Sequence, residues 1–157
     1  MYKLVLNHYL EEKNLNELNI SPKILSEIDA IDCSSYLKMP MVKKSIIKVF
    51  STNGFLEKMK LHQEHQLYIT GIKSQIGLCI QMGHKAGFYF DLYKLAYLAD
   101  QGLINQAIII LPSKNLEKFC NTSSLAAYEL ISKQMSLFKK TNNYKMHLMC
   151  LDIKRRT

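Results

Sequence analysis

Cys79, with His62, His65 and His84 near it in the chain, is the cluster whose side chains have the most reactive chemistry. A thiolate among imidazoles would hold a soft metal ion or, beside an oriented base, act as a nucleophile. The spacing fits no standard zinc motif, and nothing local supplies an oxyanion hole or a third group to orient a base. Cys79 is therefore read as a small core-lining cysteine beside surface histidines. A second group is cationic: Lys73, His84 and Lys85 flank Gln81 at expected turns, where positive charge and backbone amides could meet phosphates without reading bases. An ordinary solvated surface is the alternative, and the residues leave both open. Tyr68, Tyr89, Tyr93, Tyr97 and Tyr128 could stack on bases, but their helical and strand spacing predicts core packing.

Lysine and arginine outnumber aspartate and glutamate 21 to 13, for a net charge of +8 and an isoelectric point near 9.3. That excess favours a polyanionic partner, because each neutralised phosphate releases condensed counterions. Acidic proteins and membrane headgroups would be served by the same charge. The longest apolar runs, such as Ala107 to Pro112, fall far short of the roughly 20 residues of a membrane span, and Met1 to Leu4 carry no signal-peptide core. A soluble, cytoplasmic protein without a membrane partner is expected. Cys33, Cys79, Cys120 and Cys150 lie far apart without a CxxC pair, so reduced, buried thiols are expected rather than a disulfide scaffold.

The elements that must position these residues follow from periodicity. Ser21-Pro22 caps a first helix carrying Ile24, Leu25, Ile28 and Ile31. A second helix covers Lys43 to Thr52 and ends at Asn53-Gly54. Strand alternation then predicts Leu67 to Thr70, a turn near Gly71 to Ser74, and a strand from Gln75 to Met82. In that strand Ile76, Leu78, Ile80 and Met82 share an apolar face, leaving Gly77, Cys79 and Gln81 on a face available for chemistry. Phe88 to Gln101 is helical and stops at Gly102, and Gln106 to Leu111 is a strand covered on both faces. Ser123 or Ser124 caps a helix through about Lys140, carrying Leu125, Leu130, Ile131, Met135 and Phe138, before a last strand from Lys145 to Asp152. At 157 residues this makes one domain, residues 1–153, with 154–157 as a basic, disordered tail.

The segment QIGLCIQMGHK (Gln75 to Lys85), then Phe90-Asp91-Leu92, then Ile110 to Lys114 (ILPSK) resembles the BglII/BamHI-type restriction endonucleases of the PD-(D/E)XK nuclease superfamily. In that family a strand of the form G-V-E-V-Q-F-G-K precedes Y-D-L at a helix and a strand ending I-L-P-x-K. Glu27 to Ile31 resembles the family's first helix, Asn53-Gly54-Phe55 its glycine-aromatic turn, and Met146 to Asp152 its closing strand. The resemblance covers residues 20 to 153 and is most specific from 67 to 114. It implies a restriction-endonuclease-like α/β fold, a central mixed sheet flanked by helices, with double-stranded DNA as partner and a homodimer or larger nucleoprotein assembly.

The departures matter more than the matches. The resemblance implies an Asp on the first hairpin strand and a Glu on the second holding Mg²⁺, with a Lys or Gln two residues on to help position water. This chain has Thr70 and Cys79 at those places and keeps only Gln81. Mg²⁺ is a hard cation that wants carboxylate oxygens, and a hydroxyl and a thiol are poor substitutes. Rescue would need a displaced carboxylate from Glu27, Glu64 or Asp91. The expectation is a degenerate, non-catalytic site at Thr70, Cys79 and Gln81 in a nucleic-acid-binding or structural subunit without a cofactor, with Lys73, His84, Lys85 and Ser124 as nucleic-acid contacts. Two alternatives are an active Mg²⁺-dependent endonuclease with relocated ligands and a protein-interaction module that has abandoned nucleic acid.

Overall fold

The computed structural model of the chain describes residues 2–7, 20–33, 37–62, 64–123, 126–135 and 145–156. Strand β6 (Gln106–Pro112) shows why a sheet forms. Ile108 and Ile110 face one way and Ala107, Ile109 and Leu111 the other, and all five are buried. A strand apolar on both faces belongs in the middle of a covered sheet. The order across the sheet is β2 (Asp32–Cys33), β1 (Tyr2–Asn7), β7 (Lys145–Arg155), β6, β5 (Ile76–Ile80), β4 (Tyr68–Lys73) and β3 (Leu56–Lys60). β6 runs parallel to β5 and β7, and the remaining neighbours are antiparallel.

Each face of the sheet has its own core. On one, α1 (Pro22–Asp29) and α2 (Met39–Thr52) lay Ile24, Ile28, Val42, Ile46 and Phe50 on Leu78, Ile80, Ile108 and Ile110. On the other, α3 (Lys85–Asp100) and α5 (Tyr128–Met135) lay Phe88, Leu95, Leu98 and Ile131 on Cys79, Ala107, Ile109 and Leu148. The short α4 (Lys114–Phe119), which periodicity did not reveal, adds Leu116 to the first core and is capped by Ser113, whose Oγ accepts from the Leu116 N–H at 2.9 Å. Among the described residues no helix is long and apolar enough to cross a membrane.

Several boundaries differ from expectation. α2 begins at Met39 because Pro40, lacking an N–H, suits a first helical turn. The hairpin turns at Ser74-Gln75 rather than at Gly71, with φ of 45° and 63°, the pair of left-handed residues that a two-residue connection requires. Gly71 instead lies within β4, and a Cβ there would meet the Leu56 carbonyl oxygen at 3.2 Å and Phe55 Cβ at 3.3 Å. The basic end is no free arm through Arg155: Lys154 pairs with Lys3 and Arg155 with Tyr2 as β7 completes its ladder to β1. Tyr68, Tyr93 and Tyr97 are exposed rather than packed, since they fall on the outward sides of β4 and α3, whereas Tyr128 is buried as expected. Leu130 is also exposed, and α5 is described only from Tyr128 to Met135, so Ser124, Leu125, Phe138, Lys139 and Lys140 lie outside the described residues.

Candidate functional site

β4 and β5 carry the two positions where the sequence leads one to look for acids. Their register runs from Lys73 with Ile76 to Gly71 with Leu78, and beyond it the Ile80 N–H is met by the Thr70 hydroxyl at 3.0 Å. That bond engages the threonine oxygen with the backbone of the neighbouring strand. Cys79, on the adjoining turn of the pleat, is not open to chemistry: the face it shares with Gly77 is covered by α3, leaving the residue 1% exposed. Gly77 allows that close cover, since a Cβ there would lie 2.8 Å from Leu95 Cδ2. Burial, and after it the negative charge of Asp91, push the Cys79 thiol up to about 12, against smaller opposing effects of Lys94, a backbone hydrogen bond from Thr70, and Lys43. At neutral pH it is a protonated thiol, a poor nucleophile and a poor metal ligand.

Gln81 continues the line of Cys79 and meets α3. Its Nε2 donates to Asp91 Oδ2 at 3.0 Å, while its Oε1 accepts from the Gly83 N–H at 3.0 Å. Gly87 makes room for this arrangement, because a Cβ there would come within 2.5 Å of Gln81 Nε2. Asp91 is buried, and its Oδ1 lies 2.5 Å from Lys94 Nζ, itself well covered. The same ammonium donates to the Tyr68 carbonyl at 2.8 Å and sits 5.3 Å from the centre of the Phe90 ring. Tyr68 carbonyl, Lys94, Asp91 and Gln81 thus form one chain of contacts from β4 across α3 to the end of β5.

These groups line a cleft of about 430 Å³ with Lys43 and Ile47 of α2, Glu57 and Lys58 of β3, Thr70 and Ile80. Consecutive residues of a regular strand point to opposite faces, yet Glu57 and Lys58 both reach the cleft. The cause is local. Lys58 has φ of 50°, left-handed backbone that disfavours a side chain by roughly 1–2 kcal/mol, and it stands opposite Thr70, between the pairs Glu57 with Gly71 and Met59 with Ile69. Lys43, Glu57, Lys58 and Lys94 escaped sequence reasoning; only the aliphatic-lysine face of α2 and the unusual backbone at 58 bear on them, and neither is visible as a motif.

The structure brings Thr70, Gln81 and Asp91 to the cleft, with Cys79 buried beside them. It does not bring the others. Glu27 accepts from Asn53 Nδ2 at 2.6 Å and pairs with Lys23 on the far end of α1. Glu64 is exposed on the connection before β4, its N–H bound to His62 Nδ1. Lys73 donates to the Asn53 carbonyl at 2.7 Å beside Phe55, and His84 caps α3 by accepting from the Ala86 N–H, followed at once by Lys85. Ser124 lies outside the described residues. Among the described residues no group of three or more His, Cys, Asp or Glu side chains is placed to hold a metal ion.

Against known proteins, a family model described as restriction endonuclease BglII/BglIII matches residues 6–148. The crystal structure of restriction endonuclease BglII complexed with a DNA 16-mer is similar to this chain with a TM-score of 0.65 at 12% identity, over 98% of this chain and 79% of that one. Free BglII is similar with a TM-score of 0.58, also at 12% identity, over 98% and 80%. At such identity the structural likeness is one of fold. Curated proteins yield no sequence match.

Proposed function

The chain belongs to the restriction endonuclease BglII/BglIII family, and from that membership and the chemistry of its cleft we propose that it is a nucleic-acid-binding protein, directed to double-stranded DNA, that has lost metal-dependent cleavage. The observation that carries the reading is the state of the acid positions. Thr70 presents a hydroxyl already engaged by the Ile80 N–H, and Cys79 presents a buried, protonated thiol. The Mg²⁺ that the family resemblance implies does not fit this donor set, which lacks the hard, charged oxygens such an ion requires. Asp91, the nearest displaced carboxylate, is occupied by Lys94 and Gln81, and Glu27 and Glu64 lie elsewhere. Relocated catalysis is therefore the weaker reading.

DNA is supported by the fold shared with a BglII structure bound to a DNA 16-mer and by the net charge of +8. The test has two arms. Fluorescence anisotropy on a 16-base-pair duplex should show affinity that falls steeply with salt. Incubation of supercoiled DNA with Mg²⁺ or Mn²⁺ should leave it uncut. Nicking that chelator abolishes, that magnesium restores, and that a Gln81→Ala preparation lacks would overturn the non-catalytic assignment, while a shallow salt dependence with weak binding would favour a protein-interaction module.

A further inference from the structure

The cleft collects lysines from three separate elements: Lys43 from α2, Lys58 from β3 and Lys94 from α3. They outnumber the carboxylates lining it, Glu57 and Asp91, so the cleft carries three positive charges against two negative. Asp91 and Lys94 satisfy each other, and Lys94 keeps one of its three N–H donors beyond those directed to Asp91 and the Tyr68 carbonyl. Neither Lys43 nor Lys58 is in an ion pair among the described residues. Half-buried Lys43 gives up part of its hydration without an ion-pair partner among the described residues, and Lys58, opposite Thr70 at the cleft, holds a left-handed φ of 50° that a side chain disfavours. Such backbone beside two lysines that lack an ion pair among the described residues points to a place for an anion.

Resting on the DNA reading above, we propose that this cleft is a metal-independent seat for a backbone phosphate, in which Lys43 and Lys58 hold the anion beside Lys94. A pair of acids at positions 70 and 79 would repel a phosphate unless a cation lay between them; a neutral hydroxyl and a buried thiol do not. Binding of duplex accordingly requires no divalent ion. Lys43 and Lys58 contribute as point charges, so they add affinity and salt dependence without base preference.

The experiment measures binding of a 16-base-pair duplex to the full chain across a salt series, in magnesium and in EDTA at matched ionic strength. The expected affinity in EDTA is no lower than in magnesium, which as a divalent counterion competes for the same phosphates. Lys43→Gln and Lys58→Gln each lower the slope of log affinity against log salt by about 0.9, and the double variant by about twice that. Lys58→Gly, whose backbone suits positive φ, gives the same loss of binding with an unchanged or higher melting temperature, which separates lost charge from lost fold. A parallel titration with inorganic phosphate, followed by amide chemical shifts at Thr70 and Lys58, reports on the seat by itself. Duplex binding with slopes unmoved by the lysine variants, or affinity that requires magnesium, overturns the seat and leaves the DNA reading standing. Shifts with phosphate but no duplex binding uphold the seat and overturn the DNA reading; neither response overturns both.

Discussion

Removing one member of the Asp91–Lys94 pair should cost far more than breaking an exposed i,i+3 pair on a helix surface. Both side chains are largely withdrawn from water, and Nζ lies 2.5 Å from Oδ1. Lys94→Met leaves the carboxylate with the Gln81 donor alone; Asp91→Asn leaves the ammonium with the Tyr68 carbonyl and the Phe90 face. Stranding one partner of a buried pair costs about 3–5 kcal/mol, and these remaining contacts put each variant near the low end, at about 3 kcal/mol. The double variant strands nothing. Its loss should be no larger than that of either single, for a coupling of about 3 kcal/mol. With a urea slope near 2 kcal/mol per molar, each single lowers the midpoint by about 1.5 M at an unchanged slope. Single losses below about 1 kcal/mol, or a double equal to their sum, would show that water solvates the pair and that the cleft is not organised around it.

Thr70→Val should destabilise by about 1–3 kcal/mol because the Ile80 N–H loses its acceptor, whereas Thr70→Ser stays near wild type; paired urea curves decide this. Because the Cys79 pKa is raised from 9.0 to about 12 on folding, the unfolded chain releases that proton first as pH climbs. The contribution is whole below pH 9 and is lost as pH rises toward 12, so wild type should lose more stability than Cys79→Ala over that window, and equal losses would refute the burial argument. Gly77→Ala should cost about 1–3 kcal/mol, since its Cβ would press Leu95 Cδ2 and Ile104 Cδ1 at 2.8 and 3.0 Å; thermal unfolding that matches wild type would show a looser core.

The central part of the fold was legible because its physics is local. Alternation of Ile76, Leu78, Ile80 and Met82 marked one core face of β5, and these residues do share a cluster with Ile108 and Ile110. Ser21-Pro22 and Asn53-Gly54 marked helix ends for the same reason. Edge strands were not legible. β3, with Leu56 and Glu57 exposed, has no periodic apolar face, and β2 is two residues long; each exists because a neighbouring ladder offers it hydrogen bonds. The turn was misplaced because a glycine attracts the assignment, whereas Ser74-Gln75 takes left-handed backbone without one.

The cleft was half legible, and the hidden half explains the visible one. Counting positions locates Thr70, Cys79 and Gln81, but no count reveals that Lys94 reaches the Tyr68 carbonyl 26 residues away or that Lys58 turns inward. Those long-range facts bear on what positions 70 and 79 can hold. Asp91 already acts against ionisation of the thiol at 79. A glutamate at that position would bring a second carboxylate toward Asp91 and compete for the same Lys94. Hydroxyl, thiol and lysine–aspartate pair therefore form one mutually consistent arrangement: with neutral groups at 70 and 79, the Lys94 ammonium is left to balance the Asp91 carboxylate.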